Sequence, residues 1–255
     1  DRVAERGKWD GHAAGAAAEV EDLQAAAQLG AAGCGDLADG GPDGGGTGGM
    51  AVPLAALGHT ITVVDPSPDA LAALQRRATE AGLADRVTAV QGDTDTLAEL
   101  LDAESVDLVS CHGVLEIVDD PPTSMAALVR VLRSGGLLSL VVANRLGVVV
   151  AKALAGEFAQ AKAALLSTDG RWGPADPLPR RFDVAGVESL LGDAGLVSHG
   201  CHGVRIVTDL VPSALLDSDT HRGELLDLES ALASHPDYAF LSQIGTSLHV
   251  LAHRP

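Results

Sequence analysis

The sequence predicts an α/β fold: a doubly wound, mostly parallel sheet with helices on both faces and a lobe inserted beside it. Three observations lead there. Between residues 50 and 143, short apolar runs rich in branched residues alternate with helical patterns, the rhythm of right-handed crossovers between parallel strands. A glycine run, Gly44-Gly45-Gly46-Thr47-Gly48-Gly49, opens that rhythm. Polar clusters then stand just after the apolar runs, where an open α/β sheet binds its ligands. The 255 residues, 46% hydrophobic and 20% charged, suit one large domain or a domain with a lobe.

Each element follows from local pattern. Residues 13–29 have high helix propensity, whereas 30–49 are too dense in Gly and Asp to be helical. Helical patterns cover 50–57, 68–81, 96–101 and 123–132; apolar runs predict strands at 60–64, 87–90, 106–110 and 137–142. From Asn144 the rhythm changes. A helix is expected over 148–166, then the irregular Pro-rich segment 170–182, then a helix over 184–194 capped by Asp183. The end offers a strand at 204–208, a helix at 215–233 and a strand at 246–252, adding to the sheet's edge. The expected division is a cofactor-binding core at 1–143, irregular over 1–43, a substrate lobe at 144–182, and a C-terminal part at 183–255 that completes the sheet and the acceptor site.

Composition excludes several classes of function. Cys34, Cys111 and Cys201 are far apart and form no C-x-x-C pair, so neither a disulfide framework nor a zinc site is indicated and a reducing cytoplasm fits best. The longest apolar stretch, 137–155, is interrupted by Asn144, Arg145 and Lys152, and the first ten residues carry no signal-peptide pattern, so no membrane association is expected. The net charge of −18 repels phosphate backbones, although a local basic patch can still dock one structured RNA. That charge is uneven. Residues 1–143 hold 8 Lys+Arg against 22 Asp+Glu, while residues 144–255 hold 9 against 13. Phe158, Trp172, Phe182, Tyr238 and Phe240 share the later half with Arg171, Arg180 and Arg181, and the three arginines act together or lie apart as solvated loop charges. Aromatic faces and guanidinium groups are what base stacking and anion docking use, so an acceptor belongs in the C-terminal half.

The glycine run fits both the G-x-G-x-x-G of dinucleotide enzymes and the G-x-G-x-G of S-adenosylmethionine enzymes. Asp65, at the end of the following strand and 17 residues after Gly48, can accept hydrogen bonds from both hydroxyls of a ribose. The next two strands end in Gln91-Gly92-Asp93-Thr94-Asp95 and in Ser110-Cys111-His112-Gly113-Val114-Leu115-Glu116. Asp93 or Asp95 could instead cap the helix that starts near Thr96, His112 could be a hydrogen-bonded loop residue, and Glu116 could face solvent at a helix start.

These motifs resemble the class I S-adenosylmethionine-dependent methyltransferases, in order and spacing: GGGTGG, the segment from Thr62 to Ser67, QGDTDTL, CHGVLEIVDDP and LVRVLRSGGLLSLVVAN. Within that superfamily the chain is most similar to the bacterial tRNA 5-carboxymethoxyuridine methyltransferase group, the likeness continuing through Asn144, ALAGEF, GVRIVTDLVP and the tail ending LHVLAHRP. The resemblance implies a Rossmann-like seven-stranded sheet and S-adenosylmethionine as cofactor. It implies that Gly44, Gly45 and Gly46 contact the methionine portion, Asp65 the ribose and Thr94 and Asp95 the adenosine end, and that His112 touches the cofactor; Gly48 and Asp93 are further cofactor-binding candidates. It further implies a tRNA or small-molecule acceptor and no metal.

An ionised carboxylate acceptor needs no general base, only a cation that orients it, and Arg205 in GVRIV is the candidate. A hydroxyl or amine acceptor needs a base, for which His112 or Glu116 is nearest. Two rivals stand. Pro42 occupies the place where relatives carry an Asp before the glycines, and no Arg occurs between Arg6 and Arg76 to match a cofactor-reaching arginine, which favours a binding protein of this fold with weakened or lost activity. An NAD-dependent oxidoreductase would keep the glycines and Asp65 but leave HGVLE unexplained.

Overall fold

The computed structural model describes residues 49–215, 218–235 and 237–255. They belong to two compact units, one of residues 49–63 and 69–89, the other of residues 64–68 and 90–255.

The first unit is built around the pair of strands β1 (Ile61–Asp65) and β2 (Val87–Gln91), whose last residues pass into the second. Helix α1 (Ala51–Ala56) and helix α2 (Pro68–Glu80) supply its apolar faces. In α2, Ala70, Leu71, Leu74 and Ala78 recur at helical spacing and are buried; Leu71 and Leu74 cluster with Ala51, Ile61, Val63, Val87 and Ala89.

The second unit carries a four-stranded sheet in the order β3 (Val106–His112), β4 (Leu132–Ala143), β6 (Ser247–His253), β5 (Val197–Val204). Only β3 and β4 are parallel; β6 runs antiparallel to both β4 and β5. Six strands thus fall among the described residues, and this sheet is mixed where a mostly parallel one was expected. Leu138, Leu140 and Val142 of β4 alternate with half-buried neighbours. With Leu248, Val250 and Ala252 of β6 they form a face covered by Met125 and Leu128 of α4 (Pro121–Val131) and Val187 and Leu191 of α7 (Val184–Asp193). Between β2 and β3 lies only the single turn α3 (Leu97–Leu100).

Several boundaries move for physical reasons. Helix α4 starts two residues early because Pro121 and Pro122 occupy a first turn that needs no N–H, behind the N-cap Asp120. Strand β4 starts at Leu132, and its extra residues bulge between the pairs Val106↔Leu132 and Leu108↔Leu137. The single helix expected over 148–166 is two, α5 (Arg145–Leu154) and α6 (Phe158–Leu166): Gly156, at φ +77°, takes the left-handed position that ends α5. The segment 170–182 is irregular as expected. It is held by a buried bidentate pair in which Arg181 Nη1 and Nη2 donate to Asp176 at 2.6 and 3.0 Å. Asp183 caps α7, its Oδ1 accepting the Gly186 N–H at 2.9 Å.

The strand expected at 204–208 is misplaced. Strand β5 ends at Val204, and the N–H groups of Ile206, Val207 and Thr208 donate not to a neighbouring strand but to the carboxylate of Glu229, each at 2.8 Å. Glu229 lies in α8 (Asp219–Ser234), which starts four residues later than expected, behind the N-cap Ser218. No helix among the described residues is long and apolar enough to cross a membrane.

Candidate functional site

Asp65 closes β1 and is 3% exposed. The turn that follows fixes it: Oδ1 accepts the Ser67 N–H at 2.8 Å, and the Asp65 carbonyl accepts the Gly92 N–H at 3.2 Å, fastening the end of β1 to the end of β2. Oδ2 has no hydrogen-bond partner among the described residues, so the carboxylate keeps an acceptor for a ligand.

After β2, the three residues that were expected to act together differ in what they are free to do. Asp93 Oδ1 accepts from Asp95 N–H, Thr96 N–H and Thr96 hydroxyl at 3.1, 2.9 and 2.8 Å. The Thr96 bonds hold the Asp93 carboxyl below its ordinary value. Its side chain builds the turn. Thr94 pairs with Ser124 of α4 through their hydroxyls at 2.9 Å, while Asp95 is exposed.

His112 closes β3. Its Nε2 lies 2.9 Å from the Ser139 hydroxyl on β4, and burial pushes its pKa down to about 4, so the ring is neutral at pH 7. Gly113 follows with open space beside its Cα. Cys111, one residue before His112, is buried and its thiol is pushed up to about 12 by desolvation and then by the charge of Glu116. Glu116 is not on a solvent-facing helix start. It is 5% exposed in the loop after β3, where Oε1 accepts the Ala143 N–H and Oε2 is buried without a partner among the described residues. Burial raises its pKa against the pull of Arg181 and Arg180.

Arg205 lies one residue beyond β5, in a left-handed turn at φ +59°, rather than on a strand. Its guanidinium forks onto Asp209, with Nε donating to Oδ1 at 2.9 Å and Nη2 to the same oxygen. Asp209 Oδ2 in turn accepts the Thr246 hydroxyl at 2.5 Å. Gly44, Gly45, Gly46 and Gly48 lie outside the described residues.

Sequence reasoning left the fate of the lobe arginines open, and the structure separates them. Arg180 and Arg181 line one pocket of about 390 Å³ together with Arg145, Phe182, Asp169 and Asp183. Arg180 Nη1 donates to the carbonyls of Leu115 at 3.1 Å and of Val118, which ties the lobe to the loop after β3. Arg171 does not line that pocket, and its Nε is buried without a partner among the described residues. Residues that sequence reasoning missed are Ser139, His249 and Glu229. The first two carried a readable signal, a polar side chain at an alternate position of an otherwise apolar strand. No group of three or more His, Cys, Asp or Glu among the described residues could hold a metal ion.

Comparison with known proteins bears on the family and the fold. A family model described as a methyltransferase domain matches residues 43–140. The tRNA 5-carboxymethoxyuridine methyltransferases of Escherichia coli K12 and O157:H7 are 32% and 31% identical over 212 residues, 83% of this chain and 78% of theirs. A SAM-dependent methyltransferase structure from Methanosarcina mazei superposes with a TM-score of 0.53 at 15% identity, over 82% of this chain and 88% of that one, which shows a shared fold. Asp65 at the end of β1, Thr94 and Asp95 after β2, and the neutral imidazole of His112 at the end of β3 with open space at Gly113 are groups of the kinds that fit S-adenosylmethionine. The chain belongs to the class I S-adenosylmethionine-dependent methyltransferases.

Proposed function

We propose that this methyltransferase acts on a carboxylate carried by a modified uridine of tRNA, in the cytoplasm. The observation that carries the reading is the reach of the similarity to the Escherichia coli tRNA 5-carboxymethoxyuridine methyltransferase. It covers 83% of the chain, well past the methyltransferase-domain match at residues 43–140, into the half where an acceptor belongs.

The chemistry of the site supports it. Bound S-adenosylmethionine supplies an electrophilic methyl group on a sulfonium centre. Asp65 would hold the ribose, Thr94 and Asp95 the adenosine end and His112 a further polar contact, with the glycines from Gly44 to Gly48 giving the methionine portion room. A carboxylate needs no deprotonation, so this reading asks for no base from Glu116, whose Oε1 accepts the Ala143 N–H, or from His112, whose Nε2 is engaged by Ser139. What the chain must provide is orientation and exclusion of water. Arg205 is the anchor for the acceptor carboxylate, held by Asp209 so that its planar fork is already ordered when the acceptor arrives. The pocket at Arg145 and Arg180 is available to the flanking nucleotide phosphates.

The test is incubation with methyl-labelled S-adenosylmethionine and either bulk tRNA or a small-molecule extract. Label is expected in tRNA, at an alkali-labile ester, and Arg205→Ala is expected to raise the KM for tRNA with unchanged cofactor affinity. Label confined to small molecules would overturn the tRNA reading.

A further inference from the structure

One side chain from each strand of the four-stranded sheet joins a hydrogen-bonded row. His112 Nε2 on β3 lies 2.9 Å from Ser139 Oγ on β4. Ser139 Oγ lies 3.0 Å from His249 Nε2 on β6, and His249 Nδ1 lies 3.3 Å from His202 Nε2 on β5. Backbone register puts His202 directly opposite His249, and the rings of His202 and His249 meet edge to face at 5.0 Å. Ser139 stands out of phase with Leu138 and Leu140, so the row occupies the face turned away from the apolar cluster.

Counting protons makes the row directional. A neutral imidazole carries one N–H, and both nitrogens of His249 are engaged, so His249 donates at one and accepts at the other. If it donates from Nε2 to Ser139, it accepts from His202, and the Ser139 hydroxyl is left to donate to His112 Nε2, which places the His112 proton on Nδ1. If it donates from Nδ1 to His202, it accepts the Ser139 proton at Nε2, and His112 must donate to Ser139 from Nε2. No third partner for the Ser139 hydroxyl proton occurs among the described residues. Burial lowers the pKa of all three rings, to about 4 for His112 and about 3 for His249, which keeps the count valid at pH 7.

We propose that Ser139 and His249 are positioning residues that lock His112 in one tautomer, with His202 on the outer strand setting which, so that His112 presents a fixed donor or acceptor to the cofactor. The proposal rests on the assignment of His112 to cofactor contact. Its physical basis is that an isolated imidazole exchanges tautomers freely, whereas here one choice orders the whole row.

The experiment is nitrogen-15 NMR of the histidine rings in the full-length protein, with calorimetric titration of S-adenosylmethionine. The wild type is expected to show His112 as a single tautomer. Ser139→Ala should give His112 averaged ring shifts and weaken cofactor binding roughly three- to tenfold, the worth of one neutral hydrogen bond. Ser139→Thr, which keeps the hydroxyl, should restore both, a rescue that general loss of packing would not show. A His112 tautomer unchanged by Ser139→Ala overturns the proposal. A tautomer that shifts while cofactor affinity stays constant overturns its link to the cofactor and removes His112 from the binding site, leaving the tRNA reading to its own test.

Discussion

At the scale of single residues, the site divides acidic side chains by what they already hold. Asp93 spends one carboxylate oxygen on three donors of its own turn, whereas among the described residues Asp65 accepts from a single N–H, at Oδ1. Asp65→Ala is therefore expected to weaken S-adenosylmethionine binding roughly 10- to 100-fold, the worth of hydrogen bonds to a charged acceptor, while costing little stability. Calorimetry and thermal melting check both halves, and unchanged affinity would take Asp65 out of the site. The place of Asp65 at a strand end was legible because the apolar run before it reads as a strand by itself. The partnership of His112 with Ser139, His249 and His202 was not, since it depends on which strands pair and in what register.

The same distinction holds for whole elements. The runs at 60–64, 87–90 and 246–252 became strands nearly as written, because buried branched side chains favour a pleated surface. The run Val204-Arg205-Ile206-Val207-Thr208 looks equally strand-like, yet Glu229 from α8 captures its N–H groups and the strand forms instead over Val197–Val204, through glycines and histidines of poor strand propensity. Gly203 shows why the composition is needed: a Cβ there would stand 1.6 Å from the Ser242 carbonyl oxygen. Glu229 thus holds the loop that presents Arg205. Glu229→Ala leaves three N–H groups without their charged acceptor and should cost roughly 2–3 kcal/mol, lowering the melting temperature by roughly 5–10 °C and raising the KM for the acceptor without changing cofactor affinity. A melting temperature equal to wild type would show that the clamp contributes nothing.

For the molecule as a whole, the buried neutral histidines set the response to acid. His112 and His249 have pKa values near 4 and 3 when folded and near 6.5 when unfolded, so between those values the unfolded chain binds more protons. Their contribution is fully present above pH 6.5 and is lost as pH falls toward 4, on the order of 3 kcal/mol for His112 alone. Glu116, with its pKa raised, acts in the opposite sense, its destabilisation being relieved as it takes up a proton. The melting temperature is expected to drop between pH 6.5 and 4, and His112→Gln with His249→Gln to flatten that drop; equal slopes for variant and wild type would refute the assignment. Burial has a second consequence, at Cys111. With its thiol pushed up to about 12, Cys111 is ionised to roughly one part in 10⁵ at pH 7. The strand that delivers His112 thus carries, on its core-facing side, a sulfur held in its unreactive thiol form.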